Sequence, residues 1–155
     1  MATSTLVQFL DAGESADTSH RRQVETFFAA GSITAGDFVS LDVSQPGADK
    51  ALFIVQAPAT AGDGRVVGVA METATGTAAT PAQIRVVVSG YAAGVNVATG
   101  SGAGKPLAMS GTAGRATVAQ YDPTAGSAQD MPDVFATALT TASGNIAEVM
   151  VHKRF

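Results

Sequence analysis

The sequence predicts an all-β domain, a β-sandwich or a barrel-like fold, and three observations favour that class. Apolar residues make up 46% of the 155 residues, which is enough to fill one core. Short runs rich in Val, Ile and Phe are bounded by glycine or proline, as in all-β proteins. In addition, two segments of the chain resemble each other at a constant offset. The chain has no cysteine, so its stability has to come from packing and assembly.

The chain divides into an N-terminal arm, residues 1–20, and a β-rich domain, residues 21–155. The arm has a short apolar patch followed by a polar stretch, whereas the domain has the strand-like runs. In chain order, the runs predicted as strands are Gln23 to Ala29, Asp37 to Asp42, Ala51 to Gln56, Arg65 to Thr73, Gln83 to Tyr91, Val95 to Ala98, Leu107 to Met109, Ala116 to Tyr121, Val134 to Thr140 and Ile146 to Lys153.

An internal repeat links the two halves of the domain. Residues 70–76 read "AMETATG" and residues 138–144 read "ALTTASG", an offset of 68; "AG" before "DFVSL" recurs at the same offset before "KPLAM". After the shared glycine each copy enters a valine-rich run, from Ile84 and from Ile146, and the second connection is six residues shorter. The pattern predicts two copies of one β unit, residues 33–90 and 101–153.

The repeat decides between helix and strand for "QDMPDVFATALTTA". Asp130 before Pro132 could begin a helix, and Val134, Ala138 and Leu139 have helical spacing. The equivalent segment of the first copy, "RVVGVAMET", is rich in β-branched residues. We therefore predict a strand over Val134 to Thr140.

The low charge of the chain limits its partners. The net charge is −4 and charged residues make up 14% of the chain, so it lacks the basic surface that nucleic acids require. Large neutral surfaces are typical of the cores of assembly interfaces. The N-terminus lacks a basic region before its apolar patch, and there is no apolar run of about 18 residues. We expect no signal peptide and no membrane partner.

One stretch, "ATGSGAGKP" at residues 98–106, resembles a phosphate-binding loop but departs from it at two positions. Thr99 occupies the place of the first glycine, and Pro106 occupies the place of the hydroxyl that binds magnesium. The residues that follow are rich in strand and turn formers, whereas a phosphate loop is followed by a helix. We predict a glycine turn between two strands and no nucleotide cofactor.

Other catalytic and metal-binding patterns are also missing from the sequence. His20 and His152 each lie beside two basic residues, which disfavours a metal or a general base. The carboxylates are scattered, and several, such as Asp37, follow or precede a glycine, where Asp caps turns. The sequence predicts no catalytic residues, no metal site and no cofactor.

Five blocks of the chain resemble the head decoration, or capsid cement, proteins of tailed bacteriophages. The blocks are "RRQVETFFAAGSITAGDFVSLD", "VVGVAMETA", "RVVVSGYAAGVNVATG", "KPLAMSGTAGRA" and "VMVHKRF", and they cover most of the chain from about residue 20. The resemblance implies a non-enzymatic structural protein that binds the major capsid protein on the outer surface of the assembled head. It also implies a virion location after assembly in the host cytoplasm, and a homotrimer, with a dimer left open. A surface adhesion domain that displays loops from a β-sandwich is the alternative.

The arm supplies the predicted capsid contacts. Its apolar residues are too few to form a core, so we expect them to dock on another surface, together with the arginines that follow. An edge strand added to the chain's own domain, or to a neighbouring subunit, is the other possibility. The predicted contact residues are Leu6, Val7, Phe9, Leu10, Arg21 and Arg22.

Overall fold

The computed structural model describes residues 22–59, 64–119 and 133–152. Within these ranges the regular elements are strands, apart from one short 3₁₀ segment, which confirms the predicted all-β class. A short 3₁₀ segment covers Gly47–Ala51. The strands are β1 (Gln23–Ala29), β2 (Ser32–Ile33), β3 (Phe38–Leu41), β4 (Phe53–Gln56), β5 (Val66–Ala70), β6 (Ala74–Thr75), β7 (Ala82–Asn96), β8 (Pro106–Met109), β9 (Ala116–Val118), β10 (Ala136–Ala138) and β11 (Ile146–Val151).

Five strands close into a ring that we call the first barrel. Its order is β1–β4–β3–β5–β7, and β7 pairs back to β1 through antiparallel partners that include Phe27 and Ile84. The pairing of β1 with β4 is parallel, with Phe28 opposite Phe53. Closure leaves no free strand edge in this ring.

A second ring, the second barrel, continues from the same strand. Its order is β7–β11–β10–β8–β9. The ring is completed where Val97, directly after β7, forms a parallel bridge with Ala116 of β9. The long strand β7 therefore belongs to both barrels: its first half pairs with β1, and its second half, Gly90 to Asn96, pairs with β11.

The length of β7 differs from the sequence prediction. The runs Gln83 to Tyr91 and Val95 to Ala98 were predicted as separate strands, but a single strand of 15 residues covers all of the first run and half of the second. Gly90 has φ 96° and Gly94 has φ 68°, a region that suits glycine, so the strand bends there without ending. The glycines that suggested a break instead let one strand pass from barrel to barrel.

The hydrogen-bond ladder recurs at the offset found in the sequence. The Gly36 amide donates to the Ala70 carbonyl over 2.8 Å, and 68 residues later the Gly104 amide donates to the Ala138 carbonyl over 2.7 Å. The β3–β5 register has the same equivalence, because Phe38 lies opposite Val69 and Pro106 lies opposite Thr137. These contacts support our proposal that the chain holds two copies of one β unit, with boundaries at 33–90 and 101–153.

The pairing of equivalent strands also corrects the predicted length of the second connection. Ala70 lies opposite Val86, whereas Ala138 lies opposite Val149. The second connection is therefore five residues shorter than the first, and the predicted six was wrong by one. Ile84 corresponds to Ala147, and the two are buried at equivalent places.

The segment in dispute between helix and strand is a strand. β10 covers Ala136–Ala138 and pairs with both β8 and β11, as the repeat predicted. The helix alternative for residues 133–140 is wrong. The predicted strand was longer than the observed one, because residues 139 and 140 form a bend.

Buried side chains form two clusters. The first fills the interior of the first barrel and includes Ile33, Val39, Ile54, Ile84 and Val86. The second fills the second barrel and continues between the barrels. Every residue of β5 is buried, because one face of this strand points into the first barrel and the other faces the second barrel. Burial of such a valine contributes about 1.5–3 kcal/mol.

Candidate functional site

The structure describes one of the six predicted contact residues. Arg22 is exposed and directly precedes β1. The following residues lie outside the described ranges: Leu6, Val7, Phe9, Leu10 and Arg21. The predicted attachment of the arm therefore stays a prediction, and Arg22 marks where the arm joins the folded body.

Arg22 borders a groove of about 310 Å³ at the middle of β7. The groove also contacts Val69 and Met71 of the first barrel and Tyr91 of β7. Its position is where β7 leaves one barrel and enters the other. Arg22, the first described residue, thus lies beside the junction of the two barrels.

A close backbone approach fixes the geometry of this junction. Gly36 has φ 87°, and a Cβ atom added there would collide with the Gly94 carbonyl oxygen. The Asn96 amide donates to the Gly36 carbonyl over 2.9 Å. Only glycine permits this approach at position 36, because any side chain would push the two strands apart.

Next to this approach lies a cluster of polar side chains that we call the junction clasp: Asp37, Gln56, Asn96 and Arg115. The Asp37 carboxylate accepts from Gln56 Nε2 at 2.8 Å and from Asn96 Nδ2 at 3.1 Å. Arg115 Nε donates to Asn96 Oδ1 at 2.9 Å. Asp37 is 4% exposed, so these bonds replace its lost hydration.

The clasp joins the two barrels, and its side chains form hydrogen bonds with one another. Asp37 and Gln56 belong to the first barrel, whereas Arg115 precedes β9 of the second. Asp37 also accepts from the Thr34 amide at 3.1 Å, which is the turn-capping bond predicted from its neighbouring glycine. The sequence reasoning found the turn but missed the clasp, since Asp37 and Asn96, which bond directly, lie 59 residues apart.

Backbone bonds reinforce the clasp. The Phe38 amide donates to the Gly114 carbonyl at 2.9 Å, and the Gly114 amide donates to the Ala57 carbonyl at 2.8 Å. A Cβ atom at Gly114 would press against the side chains of Gln56 and Asp37. The polar groups at the junction are thus oriented toward structural partners, and the arrangement serves to hold two barrels together.

The glycine stretch at residues 98–106 makes backbone contacts of its own. The Gly100 amide donates to the Ala142 carbonyl at 3.2 Å, and the Gly104 amide donates to the Ala138 carbonyl. β8 begins at Pro106, so a strand follows the stretch. These two amides hold the turn against β10 and the segment after it, in agreement with the turn interpretation.

The other titratable groups of the described residues are at least partly exposed. His152 Nε2 lies 3.0 Å from Thr137 Oγ1. Arg85 pairs with Glu72 at 3.2 Å, and its hydrogen bonds lower the pKa of the Glu72 carboxyl. Side-chain hydrogen bonds from Gln45 and then Ser44 lower the pKa of Asp42. In the ranges 22–59, 64–119 and 133–152, no three His, Cys, Asp or Glu side chains are placed to hold a metal ion.

A search for membrane spans found no helix in the described part of the chain that is long and apolar enough to cross a bilayer.

Comparison with known proteins gives a similarity of fold. No family model matches the chain, and no curated protein matches its sequence. The chain is similar to one chain of a solved structure titled "The capsid of Myoviridae Phage XM1", with a TM-score of 0.58 and 20% sequence identity. The similarity covers 94% of this chain and 92% of that chain. The double-barrel fold is therefore shared over nearly the whole length of both.

Proposed function

We propose that the chain is a structural protein of a tailed-phage head, and specifically a decoration protein that binds the outer surface of the assembled head. Its partner is the major capsid protein, and its place is the outside of the virion after assembly in the host cytoplasm. The observation that carries this proposal is the fold shared almost end to end with a chain of a phage capsid structure. The resemblance of five sequence blocks to cement proteins gives the finer assignment.

The chemistry of the described residues supports a structural role over an enzymatic one. The most buried carboxylate of the described residues, Asp37, accepts hydrogen bonds from Thr34, Gln56 and Asn96, which are parts of the fold. A general base has to direct a lone pair at a substrate, whereas both oxygens of Asp37 bind groups of the protein itself. We propose that the protein is not an enzyme.

The architecture also suits a protein that reinforces a shell. Both rings are closed, so the body presents few free strand edges that could pair with the wrong neighbour. The barrels are joined by buried apolar side chains and by the clasp, with β7 running through both. A body built this way keeps its shape while other segments make the contacts.

We propose that the arm makes those contacts, through Leu6, Val7, Phe9 and Leu10, with Arg21 and Arg22 beside them. Deleting residues 1–18 should lower affinity for heads at least tenfold, which corresponds to about 1.4 kcal/mol. The melting temperature and the solution mass should stay nearly unchanged. Co-sedimentation with DNA-free heads, assembled from the major capsid protein of the same virus, measures the affinity.

A matched variant separates apolar docking from charge. Arg21→Gln with Arg22→Gln should change head affinity much less than the deletion, and binding should depend weakly on salt, because few charges are present. If the truncated protein unfolds or changes its mass, the segment belongs to the fold or to a subunit interface. In that case the arm is not the attachment element.

The alternative function, a surface adhesion domain, predicts a different result. Such a protein would bind host cells or glycans through its loops and would not co-sediment with heads. Antibodies against the folded body should label the outside of purified virions if the decoration proposal is right. Labelling of host cells without labelling of virions would refute it.

A further inference from the structure

The face of the first barrel that is covered by the second barrel recurs, uncovered, on the second barrel. On the first barrel this face consists of Phe38, Val66, Met71 and Val87, which belong to or pack against the cluster between the barrels. The ring of Phe38 lies 4.8 Å from the ring of Phe135 in the second barrel. The repeat-equivalent residues of the second barrel are Pro106, Val134, Leu139 and Met150, which we call the tail face.

The tail face is solvent-exposed. Val134 is 37% exposed, Leu139 41% and Met150 39%, and Pro106 is also exposed. Large apolar side chains grouped on one face of a folded body typically mark an interaction surface. Here the repeat adds information, because the equivalent surface is already buried once within the same chain.

The second-barrel side of the junction also has an equivalent surface, which lies on the first barrel. In the second barrel, Asn96, Gly114 and Arg115 make the junction contacts with the first barrel. The first-barrel residues at the equivalent positions, Phe28, Leu52 and Phe53, together with Val24, form what we call the head face. Leu52 is 48% exposed and Val24 38%, and the rings of Phe28 and Phe53 lie 5.7 Å apart.

The two free faces differ chemically from the buried junction. Asp37 of the clasp corresponds to Lys105, and Phe38, whose amide bonds across the junction, corresponds to Pro106, which has no amide hydrogen. The hydrogen bonds of the Asp37 carboxylate and of the Phe38 amide therefore cannot form again at the tail face. On the head face, Phe28 and Phe53 occupy the places of Asn96 and Arg115, so the two free faces would associate mainly by burial of apolar side chains.

We propose that the tail face of one copy of this chain binds the head face of a second copy. The contact would repeat between chains the order in which the two barrels follow each other within one chain. It joins different surfaces, so it is head-to-tail, and it closes into a ring when the rotation per subunit allows. This inference gives a specific interface to the homotrimer that the resemblance to cement proteins implies. It rests on that oligomer alone and does not depend on attachment to a head.

Light scattering on variants of the full chain tests the proposal. Val134→Asp with Met150→Asp alters the tail face, and Val24→Asp with Leu52→Asp alters the head face; each weakens association at least tenfold. Both variants should be 15.5 kDa monomers at a concentration where the unaltered chain is a closed oligomer. Val43→Asp is the matched control, because Val43 is 48% exposed and belongs to neither face, and it should leave the mass unchanged.

Mixing the two variants gives the sharpest result. Each retains one intact face, so an equimolar mixture should form a dimer with one copy of each and should not form the full ring. A mixture that stays monomeric, variants that stay oligomeric, or an unaltered chain that is itself monomeric would overturn the proposal. So would a variant that melts earlier without any change of mass, because its face would then be covered by its own chain.

Cross-linking identifies the surfaces directly. The chain has no cysteine, so single substitutions can be followed without background. The internal junction indicates which positions should meet, because the Phe38 amide donates to the Gly114 carbonyl and the equivalents of these two residues are Pro106 and Leu52. Pro106→Cys mixed with Leu52→Cys should form a disulfide between copies under mild oxidation, whereas Pro106→Cys alone should not. A homodimeric Pro106→Cys disulfide would show a two-fold contact and refute the head-to-tail order. These measurements contain no heads, so their failure leaves the decoration proposal standing.

Discussion

The two barrels share one hydrogen-bond ladder but fill their interiors differently. Ile84 points into the first barrel where Ala147 points into the second, and both are buried. The reverse holds at another pair of positions, where Val67 corresponds to Phe135. Interiors are packed to nearly constant density, so a smaller side chain at one position has to be offset by a larger one elsewhere. The backbone register is thus preserved while the side-chain volume is redistributed.

The junction shows a second difference between the barrels. The first barrel presents Asp37 and Gly36 to its neighbour, whereas the equivalent residues of the second barrel, Lys105 and Gly104, have no neighbouring barrel. Equivalent positions therefore act as internal controls, since they have the same backbone and different surroundings. Substituting a residue and its equivalent therefore separates the effect of the surroundings from that of the backbone.

The largest effect is expected at Phe135. Phe135→Ala should lower the free energy of unfolding by about 3–5 kcal/mol, because the ring fills the second barrel and contacts Phe38. Val67→Ala, at the equivalent position, removes fewer atoms and should cost less. Denaturant titration measures both. Equal losses would show that the two interiors do not divide their volume as described.

The next largest effect is expected at Gly36. Alanine at Gly36 and at Gly104 has to adopt a positive φ, which costs about 1–2 kcal/mol. At Gly36 the new Cβ also collides with the Gly94 carbonyl, whereas at Gly104 it meets open space. Gly36→Ala should therefore cost at least about 1 kcal/mol more than Gly104→Ala in the same titration. A smaller difference would mean that the strands at the junction can move apart with little loss of free energy of unfolding.

A smaller effect is expected for the junction clasp. Asp37→Ala leaves Gln56 Nε2 and Asn96 Nδ2 without their acceptor and should cost about 2 kcal/mol. Lys105→Ala, at the exposed equivalent position, should stay within about 0.5 kcal/mol of the unaltered chain. Thermal melts of the two variants give the comparison. If Lys105→Ala were the more harmful change, the junction would not depend on the clasp.

The smallest effect concerns acid stability. The pKa of Glu72 is lowered in the folded protein from its ordinary value of 4.5, so its contribution is present above that pH and is lost as pH falls through the folded pKa. Glu72→Gln should flatten this part of the pH profile of stability. In the second barrel, Thr140 Oγ1 accepts from the Glu148 amide in the equivalent place, and Thr140→Val should act equally at all pH values. A pH-dependent effect of Thr140→Val would contradict this assignment.

The positions of most strands along the chain could be predicted, and the proposed repeat could be suggested, because both depend on residues close together in sequence. The β-branched run at Gln23–Ala29 and the echo between "AMETATG" and "ALTTASG" carried that information. Ring closure could not be predicted, since it depends on parallel pairing between β1 and β4 and on the Val97 bridge to Ala116. Such pairings are set by tertiary geometry and have no local sequence pattern.

The junction clasp was missed for a related reason. Asp37 was interpreted correctly as a turn cap, but Asn96 and Arg115 have no motif and become neighbours only when the barrels stack. The two-residue strands β2 and β6 were missed because so short a segment has no periodicity. The predicted arm contacts, from Leu6 to Arg21, lie outside the described residues.

The strand β7 joins the two barrels directly. Fifteen residues of extended chain span about 50 Å, and no flexible linker separates the two barrels. A cut between Ser89 and Gly90 would leave each ring its own half of the strand but would interrupt the backbone that connects the rings. A pull on either barrel is transmitted along a covalent backbone that is held by hydrogen bonds to β1, β5 and β11. Tension applied to one barrel therefore reaches the other without first stretching a loop.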